Sequence, residues 1–135
     1  MWKSNGTSAD TVLVTTFRPR PKDAIPSSFA AVGGLLYFSA NDGEHGSELW
    51  KSDGTAAGTV LVRNIQTHGA SSEPDSLTDA NGKLFLWAND GFNGKQLYKS
   101  DGTPEGSGPV KLLSYNNPAS LMSVGGVAYF AASLG

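Results

Sequence analysis

One six-residue motif occurs three times in this chain at intervals of 48 residues. The run Trp50-Lys51-Ser52-Asp53-Gly54-Thr55 is preceded by Trp2-Lys3-Ser4-Asn5-Gly6-Thr7 and followed by Tyr98-Lys99-Ser100-Asp101-Gly102-Thr103. A period of this length marks one supersecondary unit copied along the chain, each copy unable to bury its apolar face alone. Residues 1–135 are therefore expected to form a single repeat domain, with copies at about 1–34, 35–82 and 83–126 and a partial copy at 127–135.

Each copy holds four short segments. Segment A follows a Pro-x-Ser-apolar signal: Pro26-Ser27-Ser28-Phe29, Pro74-Asp75-Ser76-Leu77 and Pro118-Ala119-Ser120-Leu121. Gly33-Gly34, Asn81-Gly82 and Gly125-Gly126 then favour the positive φ of two-residue hairpin turns. Segment B (35–40, 83–88 and 127–132) is almost wholly apolar and aromatic, which predicts strands buried on both faces. Segment C covers 1–4, 47–52 and 96–100, and segment D covers 11–17, 59–65 and 109–113, with Asn5-Gly6, Asp53-Gly54 and Asp101-Gly102 as hairpin signals between them. No stretch shows sustained helical periodicity.

Four strands joined by tight turns in about 48 residues is the size of a β-propeller blade. Strand B would lie mid-blade, and strand D, with Arg18, Arg63 and Lys111 at or near its end, would be an outer edge protected by charge. A β-solenoid is the alternative, although its coils are usually shorter and lack such regular hairpins. Composition agrees with an all-β reading: 17 glycines and seven prolines break the chain into short pieces, and charged residues are only 16%. A net charge of −2 without a basic run argues against nucleic acid or an anionic membrane as partner. No apolar run approaches the roughly 18 residues of a membrane span, so no membrane insertion is expected. The N-terminus has no basic region followed by an apolar core, so no signal peptide is expected in this chain. There is no cysteine, which excludes disulfides and thiolate metal sites.

The run from Glu48 to Thr59 resembles the Glu-Leu-Trp-x-x-Asp-Gly-Thr-x-x-Gly-Thr repeat of large bacterial surface and secreted proteins. The first copy departs from it at Asn5 and Asp10, and the third at Tyr98 and Ser107. The resemblance implies a propeller-like repeat protein, extracellular or at the cell surface, and implies no known catalytic activity.

In chain order the segments are C D, A B C D, A B C D, A B, which is three blades' worth of strands with half a blade at each end. A half-blade leaves an exposed strand edge, a template for pairing. Propellers have about 4–8 blades, so one chain is too short to close and two chains make six. The expectation is a homodimer, one six-bladed ring with two composite blades related by twofold symmetry. The alternative is a piece of a longer array whose neighbouring repeats supply the missing strands.

Candidate chemistry is sparse. His45 and His68 lack a partner at metal-ligand spacing and are not repeated, and no serine lies on a nucleophile elbow, so no catalytic residue and no metal or other cofactor is expected. The loop Asn41-Asp42-Gly43-Glu44-His45-Gly46 returns as 89–94, and its Asn and Asp suit a side-chain-capped turn better than a calcium loop. Asp53, Asp101, Gly54, Gly102, Thr55 and Thr103 are expected to build turns, and Trp2, Trp50 and Tyr98 to pack between blades. Trp87 stands where the other copies have Ser39 and Ala131, which makes it a candidate anchor for a sugar or peptide, with simple core filling as the favoured alternative. Glu48, Arg63 and Arg18, the last in the long loop from Arg18 to Pro26, complete the candidate ligand contacts. The functional expectation is a non-catalytic module that presents loops and grooves to a carbohydrate or protein. The competing expectation is a purely structural spacer with no small ligand.

Overall fold

The computed structural model describes residues 1–17, 25–112 and 115–134, with backbone alone at 115–117 and 133–134. Those residues are all β, with no helix, and every strand pairing is antiparallel. Strands β1 (Trp2–Lys3) and β2 (Val12–Leu13) form one two-stranded sheet. Strands β3 (Ser27–Val32), β4 (Leu35–Asn41), β5 (Ser47–Ser52) and β6 (Val60–Arg63) form a four-stranded meander. Strands β7 (Asp75–Ala80), β8 (Lys83–Asn89), β9 (Lys95–Ser100) and β10 (Gly108–Pro109) form a second one. Strands β11 (Tyr115–Val124) and β12 (Val127–Leu134) form the other two-stranded sheet.

The sequence period is also a structural period. Leu36 faces Ser52 and Phe38 faces Trp50 in the first meander; Leu84 faces Ser100 and Leu86 faces Tyr98 in the second, each 48 residues on. The β3–β4 and β7–β8 hairpins turn at Gly33-Gly34 and Asn81-Gly82, with all four residues at positive φ as a primed turn requires. The Pro-x-Ser signal has a specific cause. Ser28, Ser76 and Ser120 sit at φ of 54°, 51° and 51°, where the register of segment A slips against segment B. Each serine is the extra residue of a β-bulge, which bends the strand and strengthens its twist.

Strand D is shorter than its apolar run. In β6 the register shifts between Leu49 and Trp50, so Val62 is an extra residue and its side chain turns into the core. Beyond Arg63 the backbone turns inward to the Glu48 carboxylate instead of continuing the ladder. In the third copy β10 ends at Pro109, which has no N–H to continue the ladder, and a single bond from Val110 N–H to the Leu97 carbonyl follows. Strand β11, by contrast, starts upstream of Pro118 because β12 runs on to Leu134 as its partner.

The core lies between the two meanders. Val32, Tyr37, Leu49, Val62 and Ile65 from the first meet Leu84, Leu86, Ala88 and Tyr98 from the second. The same packing begins one sheet earlier, where Phe17 stands edge-on to Phe38 and Trp50. Strand β7 neighbours both β3 and β11, so the first strands of successive sheets lie side by side. Segment B is buried as expected in β4 and β8. In β12 it is not: Val127, Tyr129 and Phe130 are exposed, because β12 has β11 on one edge and no strand on the other among the described residues.

Candidate functional site

The repeated motif builds one turn three times. Asp53 Oδ1 accepts from the Thr55 N–H (2.9 Å) and hydroxyl (2.7 Å). Thr55 Oγ1 accepts from the Gly58 N–H (2.9 Å), Thr59 Oγ1 donates to the Thr55 carbonyl (2.6 Å), and Ser52 caps the Gly54 N–H (3.0 Å). Asp101, Thr103, Gly106, Ser107, Ser100 and Gly102 repeat every one of these bonds. Polar side chains thereby satisfy the backbone of an exposed turn, the structural role expected for Asp53, Asp101, Thr55 and Thr103. A Cβ on Gly58 or Gly106 would overlap the Asp53 or Asp101 carboxylate. The first copy solves the same problem differently: Asp10 stands at the Gly58 position, and Asn5 replaces Asp and donates to it (2.8 Å). Each turn therefore places one carboxylate against its threonine hydroxyl, supplied from either of two positions. Bonds from Thr55 and Thr103 hold the Asp53 and Asp101 carboxyls below the usual range, and nearby Lys3 and Lys51 add to the effect.

These turns are gripped by the preceding sheet. Lys3 Nζ donates to the Gly54 carbonyl (2.7 Å), and Lys51 Nζ donates to the Gly102 carbonyl (2.7 Å). Both bonds span 51 residues and join equivalent atoms of successive copies. The Arg63 guanidinium adds bonds to the carbonyls of Pro104 (3.1 Å) and Ser107, so the first meander holds the 101–107 turn with two cations. The Tyr37 ring packs against Gly102 on the same side. The repeated lysine escaped the sequence reading, although it is the one charged residue present in all three motif copies and has no local partner in the motif.

Glu48, Trp87 and Arg63, three of the candidate ligand contacts, are taken up by the scaffold. Glu48 is fully buried, and its carboxylate accepts from the N–H groups of Ile65 (2.9 Å), Gln66 (3.4 Å) and Ser72 (3.1 Å) and from the Ser72 hydroxyl (2.7 Å). Burial pushes its carboxyl above the ordinary range, and those four bonds pull it part of the way back. It is a clamp on the 65–72 loop, with no oxygen turned to solvent. Trp87 is buried, standing edge-on to Phe130 at 5.3 Å, as an aromatic contact between the second meander and the β11–β12 sheet. Arg63 is spent on the neighbouring turn. Arg18 lies outside the described residues, as do Arg20, Lys22 and Asp23. Trp50 and Tyr98 pack between sheets, Trp50 against Phe17 and Tyr98 in the core, where burial pushes its hydroxyl to about 12. Trp2 is exposed.

The loop at 41–46 is a capped turn. Asn41 Oδ1 accepts from the Gly43 N–H (2.8 Å), and Asp42 Oδ1 accepts from the N–H groups of Glu44 and His45 (2.9 Å each). His45 Nδ1 meets Asp42 Oδ2 at 2.6 Å, which raises the imidazole pKa. Asn89, Asp90 and Asn93 rebuild the loop, with an amide in place of the imidazole. An amide serving equally well marks the His45 bond as structural. Among the described residues no group of three or more His, Asp or Glu could hold a metal ion.

Two repeat-related grooves border the turns. One, of about 390 Å³, is lined by Lys83, Lys99, Asp101, Glu105 and Gly106 among others; its counterpart, about 420 Å³, by Lys3, Ser4, Asn5, Asp10 and Val12. Both offer an ammonium beside carboxyl or amide groups. No protein-family model, curated protein or solved structure matches this chain.

Proposed function

We propose that the chain is a non-catalytic β-propeller repeat module that closes its ring by exchanging strands with a second copy. The observation that supports this reading is that the two two-stranded sheets correspond to the second and the first half of a four-stranded meander. Sheet β1–β2 has the motif, turn and register of the second half of a complete sheet, and β11–β12 has the bulge and hairpin of the first half. Burial points the same way. Phe130 is 37% exposed where Phe38 and Leu86 are 0% and 1%; Trp2 is 66% exposed where Tyr98 is 4%. Val124 and Tyr129 are exposed where Ala80, Val32 and Tyr37 are buried. Apolar side chains laid out this way on an open sheet edge form a pairing surface. Applying the β4–β5 register to the halves places Phe130 opposite Trp2, Tyr129 opposite Lys3 and Ala128 opposite Ser4 of the second copy. The side-by-side first strands β3, β7 and β11 suit a central axis, and two chains bring the blade count to six.

The ring is a scaffold on which loops and the two grooves are offered to a ligand, with a hydroxyl-rich carbohydrate or a protein as the class that ammonium and carboxyl groups in shallow grooves would hold. A purely structural spacer is favoured by one specific observation: Glu48, Arg63 and Trp87 are all engaged in holding the scaffold together. Resemblance to surface-protein repeats suits either role and an extracellular setting. The test of assembly is solution mass. Light scattering should give twice the 14.1 kDa chain mass, and Ser4→Cys with Ala128→Cys in this cysteine-free chain should yield a disulfide-linked dimer under mild oxidation. A folded particle of one chain's mass, with no cross-link, refutes the ring. Binding to a glycan array by the grooves separates ligand module from spacer.

A further inference from the structure

Two of the three repeated lysines hold a turn of the next copy, and the third does not. Lys3, Lys51 and Lys99 occupy one register position, facing Val12, Val60 and Gly108 across the adjacent strand. Lys3 bonds the Gly54 carbonyl and Lys51 the Gly102 carbonyl. Lys99 is exposed and has no acceptor among the described residues. Conversely, the turns at 53–59 and 101–107 are both gripped, while the Gly6 carbonyl in the equivalent turn accepts no bond among the described residues. Among the described residues, the Lys99 ammonium is thus without the acceptor its repeats use, and the Gly6 carbonyl without the donor.

We infer that Lys99 of one copy latches the Gly6 carbonyl of a second copy, with Lys111 as the second cation on the same turn. This rests on the ring reading above. In that ring the sheet following the second meander carries the second copy's 5–11 turn, as the second meander carries the 101–107 turn after the first. Lys111 stands 48 residues after Arg63, which grips the Pro104 and Ser107 carbonyls, so its counterpart targets are the Ser8 and Thr11 carbonyls. Phe85, the counterpart of Tyr37, would lie over Gly6 as Tyr37 lies over Gly102. Charge agrees as well: the 5–11 turn presents Asp10 where the approaching face presents Lys99 and Lys111. Twofold symmetry makes two identical latches per ring.

The test compares Lys99→Met with Lys51→Met, the same bond within one chain, by dimer dissociation constant and unfolding temperature. Lys99→Met should weaken dimerisation by at least about tenfold through the two charge-assisted bonds lost per ring. Lys51→Met should lower the unfolding temperature with little change in dimerisation. Amine acylation of the wild-type dimer, mapped by mass spectrometry, should find Lys99 slowed to the level of Lys51. A wild type that is dimeric, with Lys99→Met within about twofold of it and Lys99 acylated as fast as Lys83, overturns the latch and leaves the ring standing. A wild type that is monomeric at every concentration overturns the ring and the latch together.

Discussion

Glu48→Ala should loosen the 65–72 loop and cost about 3 kcal/mol of stability. The figure follows from what the carboxylate holds. Its bonds to the Ile65 N–H and to the Ser72 hydroxyl are short and buried, and a hydrogen bond to a charged acceptor contributes about 1.5–3 kcal/mol. Not every donor would be orphaned. The Ser72 N–H and hydroxyl also reach the Ser47 carbonyl (3.0 and 3.3 Å), and Gln66 is only partly buried. Ile65 alone would be left with a buried, unpaired N–H, a penalty of about 1–3 kcal/mol. Against these losses stands the relief of removing a buried charge, whose cost is visible in the raised pKa. The balance is near 3 kcal/mol. With a urea slope of about 1.5 kcal/mol per molar, the unfolding midpoint should fall by about 2 M. Hydrogen exchange should quicken at Ile65 and Ser72 and stay unchanged at the Asn81-Gly82 hairpin.

The pH dependence gives a second reading of the same residue. A carboxyl whose folded pKa is raised binds its proton more readily folded than unfolded. Its favourable contribution is fully present below the unfolded pKa and is lost as pH rises through the folded one. Wild type should therefore lose part of its stability on going from acid toward neutral pH, and Glu48→Gln should lack that slope. Asp42, Asp53, Asp90 and Asp101 are depressed and act with the opposite sign, so the comparison must be wild type against variant. A Glu48→Ala midpoint within about 0.5 M of wild type, with exchange at Ile65 unaltered, would show that the clamp is not what holds the loop.

Two further substitutions test the repeat's local chemistry. Gly58→Asp should cost about 2 kcal/mol by setting a second carboxylate on Asp53, and adding Asp53→Asn should recover most of it by recreating the Asn5–Asp10 pair; chemical denaturation of the single and double variants measures the coupling, and additive losses would contradict the two-position account. Ser76→Val should cost about 2 kcal/mol because a β-branched residue is strained at φ 51°, whereas Ser76→Gly should stay within about 0.5 kcal/mol; equal thermal midpoints for the two would argue that the bulge residue is not under strain.

Local features were legible in the sequence in proportion to how locally they are caused. The strand order, the primed turns and the Asp-Gly-Thr turns depend on residues within a few positions of one another, and each is present where the motif places it. The Pro-x-Ser signal marked segment A, but that its serine is a bulge residue depends on pairing with a strand ten residues away. Glu48 and Arg63 were legible as unusual polar groups and not as clamps, because their partners lie 17 to 24 and 41 to 44 residues off and take no part in the motif. Trp87 differs from Ser39 for a reason that sits in another sheet, the Phe130 ring.

The lysines carry the sharpest lesson about internal repeats. A hydrophobic residue repeated three times is explained by burial within its own sheet, and a glycine by its own turn. A lysine repeated three times on the strand that leads into a self-satisfied turn has no local partner, which directs attention to the neighbouring unit. The fold supplies that partner twice and, for Lys99, leaves the position open. At two of the three copies the repeated lysine thus makes the contact between successive units of the chain. In the proposed ring, the surface around Lys99 and Lys111 is an interface first and a ligand groove second. A carbohydrate that binds there should compete with assembly, whereas one bound in the Lys3 groove, where the lysine is already committed to Gly54, should leave assembly untouched.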